Sequence, residues 1–372
     1  MSRASRTFLA GLLLCGVVTR GAPAQLRAIS DSDFAALITR LSEPAGYFDT
    51  DNIISNEDSY LHPMTTLRRA GVNGGVYVGV GPDQNFSYIA AIRPHAAVIV
   101  DIRRDNLLEH LLFKSIFARA RNRIEYLALL FGKPAPADTA GWTAKPVEAL
   151  LDYVVKARST DAGLARIRAT VVNQVRRQGV TLTDVDLETI KRFHDAFIAE
   201  GPALRFTSYG RAPQVGYPDF AQLAGSRDLE GRQRSFLATE DAFQFVKSLE
   251  DRNLIIPVVG NFAGRKAFAA IAAWMTGSGE KLSALYASNV EQYLFRDNGF
   301  DVFAENVERL PRDARSVIIR SCFTFCRNGH SHAVSGFYSV QMVQLVDSFA
   351  ALHAAHQLNS YFDVVTRGLL PP

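Results

Sequence analysis

Two short apolar runs constrain the fold of this chain more than any other feature. The first run, residues 76–80, leads into a turn with glycine at positions 79 and 81, and the second, residues 97–101, ends on an acid. A segment of helical character, residues 85–92, lies between them. This order is typical of a βαβ unit, so we predict two parallel strands at the two runs.

The glycine turn and the acid have the chemistry of a nucleotide site. Gly79 and Gly81 lack a Cβ, so the backbone of the turn can approach a ligand closely. Asp101 lies 20 residues beyond Gly81, at a strand end where an acid can accept hydrogen bonds from ribose hydroxyls. Gln84 stands where a dinucleotide fingerprint has its third glycine, which disfavours NAD. We therefore predict a Rossmann-type unit for another nucleotide.

Further apolar runs at 254–259, 282–287 and 316–320 alternate with segments of helical periodicity. Alternating strands and helices predict an α/β fold with a doubly wound, mostly parallel sheet. Helices are expected at 31–41, at 106–131, after Thr239 as an N-cap, at 266–275, at 290–295 and at 340–357. Arg119, Arg121 and Arg123 are expected on the solvated face of the second of these helices.

The chain divides into five predicted segments. A composition rich in Pro, Ala and Gly marks a connector at 132–146, and three helical stretches follow it at 147–158, 162–178 and 183–200. We predict a signal peptide (1–24), an N-terminal helix and cap loop (25–70), the first half of the sheet domain (71–132), a mainly helical insertion (133–238) and the second half (239–372).

The first 24 residues have the layout of a secretory signal peptide. Arg3 and Arg6 form a basic start, residues 8–18 an apolar core, and Ala22-Pro23-Ala24 a cleavage motif. We therefore expect an exported protein, periplasmic or secreted. Lipid attachment at Cys15 is the less favoured alternative, because the apolar run continues past it.

Charge and hydropathy limit the kinds of molecule that the protein is expected to bind. The chain has 41 Lys and Arg against 37 Asp and Glu, and Arg3, Arg6 and Arg20 supply three of the four excess charges. The segment after the signal is thus nearly neutral, which gives a nucleic-acid partner no support. It has no later apolar stretch long enough to span a membrane. We expect a small-molecule ligand.

Polar residues at strand ends and in one loop are the remaining candidates for this ligand. Ligands of open α/β sheets bind outside the carboxyl ends of the strands. Residues just after predicted strands are Asp101, Arg103, Asn261, Ser288 and Asn289. For Asn261 and Ser288, a role as helix N-caps is equally supported. The turn-rich segment 42–57 is predicted to close over the site with Asp51, Asn52, Ser55, Asn56 and Glu57.

Cys322 and Cys326, with His330 and His332, allow three interpretations. Their spacing matches zinc sites poorly, so no metal is predicted. A local disulfide and an unpaired, structural pair both stay open. Nucleophile motifs of standard hydrolases are absent from the sequence.

The segment Val78-Gly79-Val80-Gly81-Pro82-Asp83, with Val100-Asp101, resembles class I methyltransferases that bind S-adenosylmethionine. The resemblance implies that Gly79, Gly81 and Asp101 hold this cofactor, with Asp83, Asn85 and Arg103 nearby. Tyr77 and Pro82-Asp83 depart from that family's pattern, which commonly has an acid and a further glycine there.

A wider set of motifs, including Glu43-Pro44, Gly46-Tyr47-Phe48, Thr50-Asp51-Asn52 and Ser288-Asn289-Val290-Glu291, resembles an uncharacterised bacterial family of exported proteins and predicted lipoproteins with the same fold. Together the resemblances imply a methyltransferase-like protein with an unidentified acceptor. The alternative is a non-catalytic exported protein that retains the fold to bind another ligand or partner.

Overall fold

The computed structural model describes residues 26–209, 214, 216–323 and 325–372. The predicted signal peptide lies outside the described residues. Six strands form one sheet with the spatial order β3-β2-β1-β4-β5-β6. The strands are β1 (Val76–Gly79), β2 (Ala96–Asp101), β3 (Ile255–Val259), β4 (Leu282–Ser288), β5 (Arg312–Cys322) and β6 (Val340–Leu345).

The sheet is parallel except at one edge. The pairs β1–β2, β2–β3, β1–β4 and β4–β5 are parallel, and β6 runs antiparallel to β5. Every residue of β1, β2 and β3 is buried. Continuous apolar runs of this kind are typical of parallel strands covered on both faces. The prediction of an α/β fold with a mostly parallel sheet is confirmed.

Two sets of helices contact this sheet. One includes α3, α4 and α10, in which α10 contacts both α3 and α4, and α4 packs on β2 and β3. The other includes α1, α11, α13 and α14, of which α1 packs on β3 and α14 on β5. The helices are α1 (Asp31–Leu41), α2 (Pro63–Arg69), α3 (Gln84–Ile92), α4 (Arg104–Arg119), α5 (Arg123–Leu130), α6 (Val147–Lys156), α7 (Asp161–Arg177), α8 (Asp184–Glu200), α9 (Phe220–Gly225), α10 (Glu240–Asp251), α11 (Ala267–Gly277), α12 (Val290–Arg296), α13 (Phe300–Arg309), α14 (Val346–Ala354) and α15 (Tyr361–Thr366).

The single helix predicted at 106–131 is wrong, because the chain breaks into α4 and α5. Ala120 is extended, and the side chain of Asn122 accepts a hydrogen bond from the backbone N–H of Glu125 to cap α5. Arg123 is therefore buried instead of solvated. Its guanidinium pairs with Glu240 and donates to the carbonyl oxygens of residues 143, 145, 237 and 238.

The helix predicted at 340–357 is also wrong in its first part. Residues Val340–Leu345 form β6, and the helix α14 begins only at Val346. A short apolar run fits either a strand or a helix by periodicity alone, and pairing with β5 decides it here. Thr239 does cap α10, as predicted.

The direction of the chain changes once within the sheet. From β1 it proceeds outwards to β2 and β3, and then returns to β4 on the other side of β1. The connections after β1 and β4 therefore leave in opposite directions, which opens a crevice at their carboxyl ends. Within the described ranges, no helix has the length and apolar character required to cross a membrane.

Candidate functional site

A cavity of about 390 Å³ occupies the crevice at the carboxyl ends of β1 to β4. We call it the strand-end cavity. Its walls come from the turn after β1, the ends of β2, β3 and β4, and the segment 47–57. It brings together most of the predicted site residues: Asn52, Ser55, Asn56, Glu57, Gly81, Asp101, Arg103, Asn261, Ser288 and Asn289. Asp51, Gly79, Asp83 and Asn85 do not line it.

The two glycines of the turn have different roles. Gly81 lines the cavity with a φ of +84°, and a Cβ there would lie 3.1 Å from Nε2 of Gln84. A Cβ on Gly79 would lie 2.0 Å from Oδ1 of Asn85. Gly79 therefore makes room for a neighbouring side chain of the protein, and of the two glycines in the turn only Gly81 lines the cavity.

Asn85 holds the turn in place from inside the fold. Its Nδ2 donates to the carbonyl oxygens of Val80 at 2.9 Å, Gly81 at 3.1 Å and Pro82 at 2.8 Å. Its Oδ1 accepts the hydroxyl hydrogen of Tyr77, with the two oxygens 2.8 Å apart. Asn85 is thus a positioning residue, and the hydroxyl of Tyr77 has an internal partner.

Asp101 and Arg103 form an ion pair in the cavity wall. Asp101 is 4% exposed and Arg103 7%. Oδ1 of Asp101 accepts from the backbone N–H and Nε of Arg103, and Oδ2 accepts from a terminal nitrogen of the guanidinium at 2.9 Å. The other terminal nitrogen donates to the backbone oxygens of Thr50 and Asp51. Arg103 therefore fastens the loop to the end of β2.

This pairing leaves Asp101 with limited acceptor capacity. A carboxylate offers about four lone-pair positions, and Arg103 uses three of them. One position, on Oδ2, remains for a further donor. Asp51 itself is engaged by Thr207, whose backbone N–H and hydroxyl both donate to its carboxylate.

Glu57 is a buried carboxyl in the wall of the cavity. It accepts hydrogen bonds from the hydroxyl of Ser288 and, at 2.9 Å, from Nε2 of Gln341. Burial raises its pKa, and these hydrogen bonds act in the opposite direction. Sequence reasoning missed Gln341, because it lies in a strand that we predicted as a helix.

The two residues that were also candidates for helix N-caps do not cap helices. Oδ1 of Asn261 accepts from the backbone N–H of Ala263, and α11 begins only at Ala267. Ser288 has a φ of +52°, a conformation that is uncommon without glycine. Strained residues of this kind concentrate at functional sites, so the backbone at Ser288 is a further sign of one.

Two buried polar atoms of the cavity wall have no partner among the described residues. They are Oγ1 of Thr50 and Oε1 of Gln84. A buried polar group without a hydrogen bond costs about 1–3 kcal/mol. Aromatic side chains, among them Phe48 and Tyr293 with ring centroids 4.9 Å apart, supply apolar contact area in the same cavity.

Behind the turn lie buried titratable groups that sequence reasoning missed or assigned differently. Burial raises the pKa of Asp83 to about 7, and raises that of Glu109 well above its usual value, with the charge of Asp83 adding to the effect. Burial lowers the pKa of His110 to about 4, so its ring is neutral and Nε2 donates to the carbonyl oxygen of Gly81 at 2.9 Å. These groups support the turn and lie outside the cavity wall.

Cys322 and Cys326 form a disulfide with Cα atoms 5.7 Å apart. Of the three interpretations, the local disulfide is the one observed. The neighbouring His330 and His332 each hydrogen bond to a backbone carbonyl, of Val365 and Leu370 respectively.

Comparison with known proteins identifies a family but no activity. No curated protein matches the chain. The family profile described as "Domain of unknown function (DUF7790)" matches residues 52–182 and 208–365. These segments contain the turn after β1 and the ends of β2, β3 and β4. Because they make up well over half of the chain, the protein belongs to this DUF7790 family.

Proposed function

We propose that the strand-end cavity binds S-adenosylmethionine and that the protein is methyltransferase-like, built on a Rossmann-type sheet. The strand order β3-β2-β1-β4-β5-β6 supports this, because it is the order of the doubly wound dinucleotide fold, here with β6 reversed. One observation carries the proposal. The cavity at the crevice is lined by Gly81 after β1, by Asp101 at the end of β2, and by Thr50 and Gln84, each of which has a buried polar atom without a partner among the described residues.

The residues present fit the cofactor by their hydrogen-bonding capacity. Gly81 would let the backbone approach the methionine part, and the free position on Asp101 Oδ2 would accept one ribose hydroxyl. Thr50 Oγ1 and Gln84 Oε1, buried without partners in the structure, would take up further polar groups once their side chains turn towards the cavity. When bound, S-adenosylmethionine supplies an activated methyl group.

Among the chain's own residues, we assign Glu57 to proton uptake from the acceptor. It is a carboxyl in the cavity wall whose pKa is raised by burial, which moves it towards the range of a general base. Ser288 and Gln341 fix the orientation of its two oxygens. The remaining contribution is positioning of donor and acceptor at close range.

Titration calorimetry with S-adenosylmethionine and S-adenosylhomocysteine tests binding. The informative variant is Thr50→Val, which removes the unpartnered hydroxyl while keeping the shape of the side chain. We expect it to weaken binding by about threefold to tenfold, since a hydrogen bond contributes about 0.5–1.5 kcal/mol. Its matched control is Thr65→Val, because Thr65 Oγ1 is also buried and unpartnered but does not line the cavity.

The calorimetry results distinguish binding in the strand-end cavity from binding elsewhere and from no binding. Binding that Thr50→Val weakens and Thr65→Val leaves unchanged supports the proposal. Absence of any heat signal with either ligand at millimolar concentration overturns it. Equal weakening by both variants would also count against the cavity as the binding site.

One observation favours the second candidate, a non-catalytic exported protein that uses the cavity for another ligand. Arg103 already neutralises Asp101 and holds the loop 50–51 across the end of β2. Asp101 therefore has one acceptor position left, whereas the two hydroxyls of a ribose would need two. N-terminal sequencing of the protein from cells tests the export part. A chain that begins near residue 25 supports export, and an intact Met1 start in the cytoplasm contradicts it.

A further inference from the structure

A second cavity, of about 430 Å³, lies among the helices and shares no lining residue with the strand-end cavity. It is bounded by the end of α4, the segment 133–135 and the beginning of α7. Four cationic side chains line it: Arg119, Lys133, Arg158 and Arg166. We call this cavity the cationic groove.

The four cations lack carboxylate partners within the part of the chain that the structure describes. Nearby cations do have them, since Arg168 pairs with Asp195 and Arg121 with Glu125. Glu125 is the one carboxylate in the lining of the groove, and it already accepts from Arg121, from Thr139 and from the backbone of Arg121. The groove therefore holds an excess of positive charge that no described residue neutralises.

Grouping like charges around one concavity costs folding free energy unless an anion compensates it. Arginine is well suited to such an anion, because its planar guanidinium can donate two parallel hydrogen bonds to phosphate oxygens. The N-terminus of α7, through Thr160 and Gly163, also lines the groove, and the positive end of the helix dipole adds to its potential, partly offset by Asp161 in the first turn.

A neighbouring surface extends the groove. A second depression shares Pro134 and Arg158 with it and adds Lys145, together with Lys156 in an ion pair with Asp152. The aromatic rings of Trp142 and Tyr153 line this depression, with their centroids 4.8 Å apart. Nζ of Lys145 lies 4.5 Å from the centroid of the Trp142 ring. The two depressions together thus form a surface larger than one phosphate group would occupy.

We propose that the cationic groove is a binding site for an anion that carries two or more phosphate groups. Arg119, Lys133, Arg158 and Arg166 neutralise the phosphates, and the Trp142–Tyr153 surface contacts the adjoining part of the molecule. This site is independent of the strand-end cavity and of the methyltransferase proposal. The phosphates can belong to a soluble molecule or to a lipid headgroup, and the experiment separates these sources.

The probe for the soluble source is inorganic triphosphate, measured by calorimetry at low and high salt on the full protein. The probe for the lipid source is co-sedimentation with phosphatidylcholine vesicles that contain cardiolipin, whose headgroup carries two phosphates. The test variant is the double change Arg158→Gln and Arg166→Gln. Its matched control is Arg176→Gln with Arg177→Gln, two cations in the last turn of α7 that do not line the groove.

We expect triphosphate to bind, to bind more weakly at high salt, and to lose at least about tenfold in affinity in the test variant but not in the control. Binding of vesicles alone, with the same dependence on Arg158 and Arg166, assigns the site to a lipid headgroup. The proposal is overturned if neither probe binds, or if the control variant loses as much affinity as the test variant. S-adenosylmethionine binding should be unchanged in both variants, which keeps this test separate from the first.

Discussion

The charged side chains of the strand-end cavity and those of the cationic groove differ in burial and in ion pairing. In the cavity, Arg103 and Asp101 are buried, paired and tied to the neighbouring loop. In the groove, Arg158 and Arg166 are exposed, and neither forms an ion pair with a described residue. Buried charges cost too much to remain unpaired, whereas exposed charges can remain available. Charge in the cavity therefore maintains the fold, while charge in the groove serves an external partner.

This contrast also explains what each site offers to a ligand. The cavity is lined by neutral polar side chains, such as Thr50 and Gln84, together with aromatic surface. A neutral or weakly charged molecule with polar groups suits it. The groove offers net positive charge in contact with solvent, which suits a strongly anionic molecule whose affinity depends on salt.

The largest effect is expected for Arg103→Met, which leaves the Asp101 carboxylate buried without its partner. We expect a loss of about 3–5 kcal/mol in the free energy of unfolding, measured with a chemical denaturant. Adding Asp101→Asn to the same protein should recover most of the loss, since no buried charge then remains. Arg309→Met, at an exposed ion pair, is the control and should change little. A small effect of Arg103→Met would contradict the structural role of the pair.

A second, pH-dependent effect is expected for Asp83→Asn. Because the folded pKa of Asp83 is raised from 3.8 to about 7, the native state retains a proton that the unfolded state releases. The stability contributed by this group is present below about pH 4 and is lost as the pH rises to about 7. The variant should lose this dependence, so its stability relative to the native protein should rise by up to about 4 kcal/mol across that range.

Urea unfolding at several pH values measures this difference, with Asp152→Asn, an exposed acid, as the control. Other buried carboxyls, including Glu57 and Glu109, will preserve part of the overall pH dependence. A pH dependence identical in the native protein and in Asp83→Asn would show that Asp83 titrates normally and is not buried as described.

The smallest effect is expected in the groove. Arg158→Gln should change the free energy of unfolding by no more than about 0.5 kcal/mol, since it breaks no ion pair of the described structure. Thermal and chemical unfolding in low salt provide the measurement. A clear loss of stability would mean that Arg158 supports the fold, and the contrast between the two regions would fail.

Sequence patterns identified the fold better than the roles of individual residues. The runs at 76–80 and 97–101 predicted parallel strands because continuous apolar residues suit a sheet covered on both faces. The break between α4 and α5 was missed, although Asn122 followed by Glu125 three residues later has the form of a capping motif. Strand β6 was missed because its antiparallel pairing with β5 is a long-range contact that periodicity does not encode.

At the site, position along a strand predicted proximity but not side-chain use. Asp101 and Ser288 lie in the cavity wall as strand ends should. The sequence could not indicate that Asn85 turns inward to hold the glycine turn, or that Gly79 makes room for it. These roles depend on side-chain directions that only the packed structure defines.

A crystal structure of the protein with S-adenosylhomocysteine tests the central claim most directly, because it locates the ligand as well as detecting it. We predict density in the strand-end cavity, with the ligand next to the backbone of Gly81, a ribose oxygen within hydrogen-bonding distance of Asp101 Oδ2, and new partners for Thr50 Oγ1 and Gln84 Oε1. Density at the cationic groove instead, or an unchanged strand-end cavity at saturating ligand, would contradict the account.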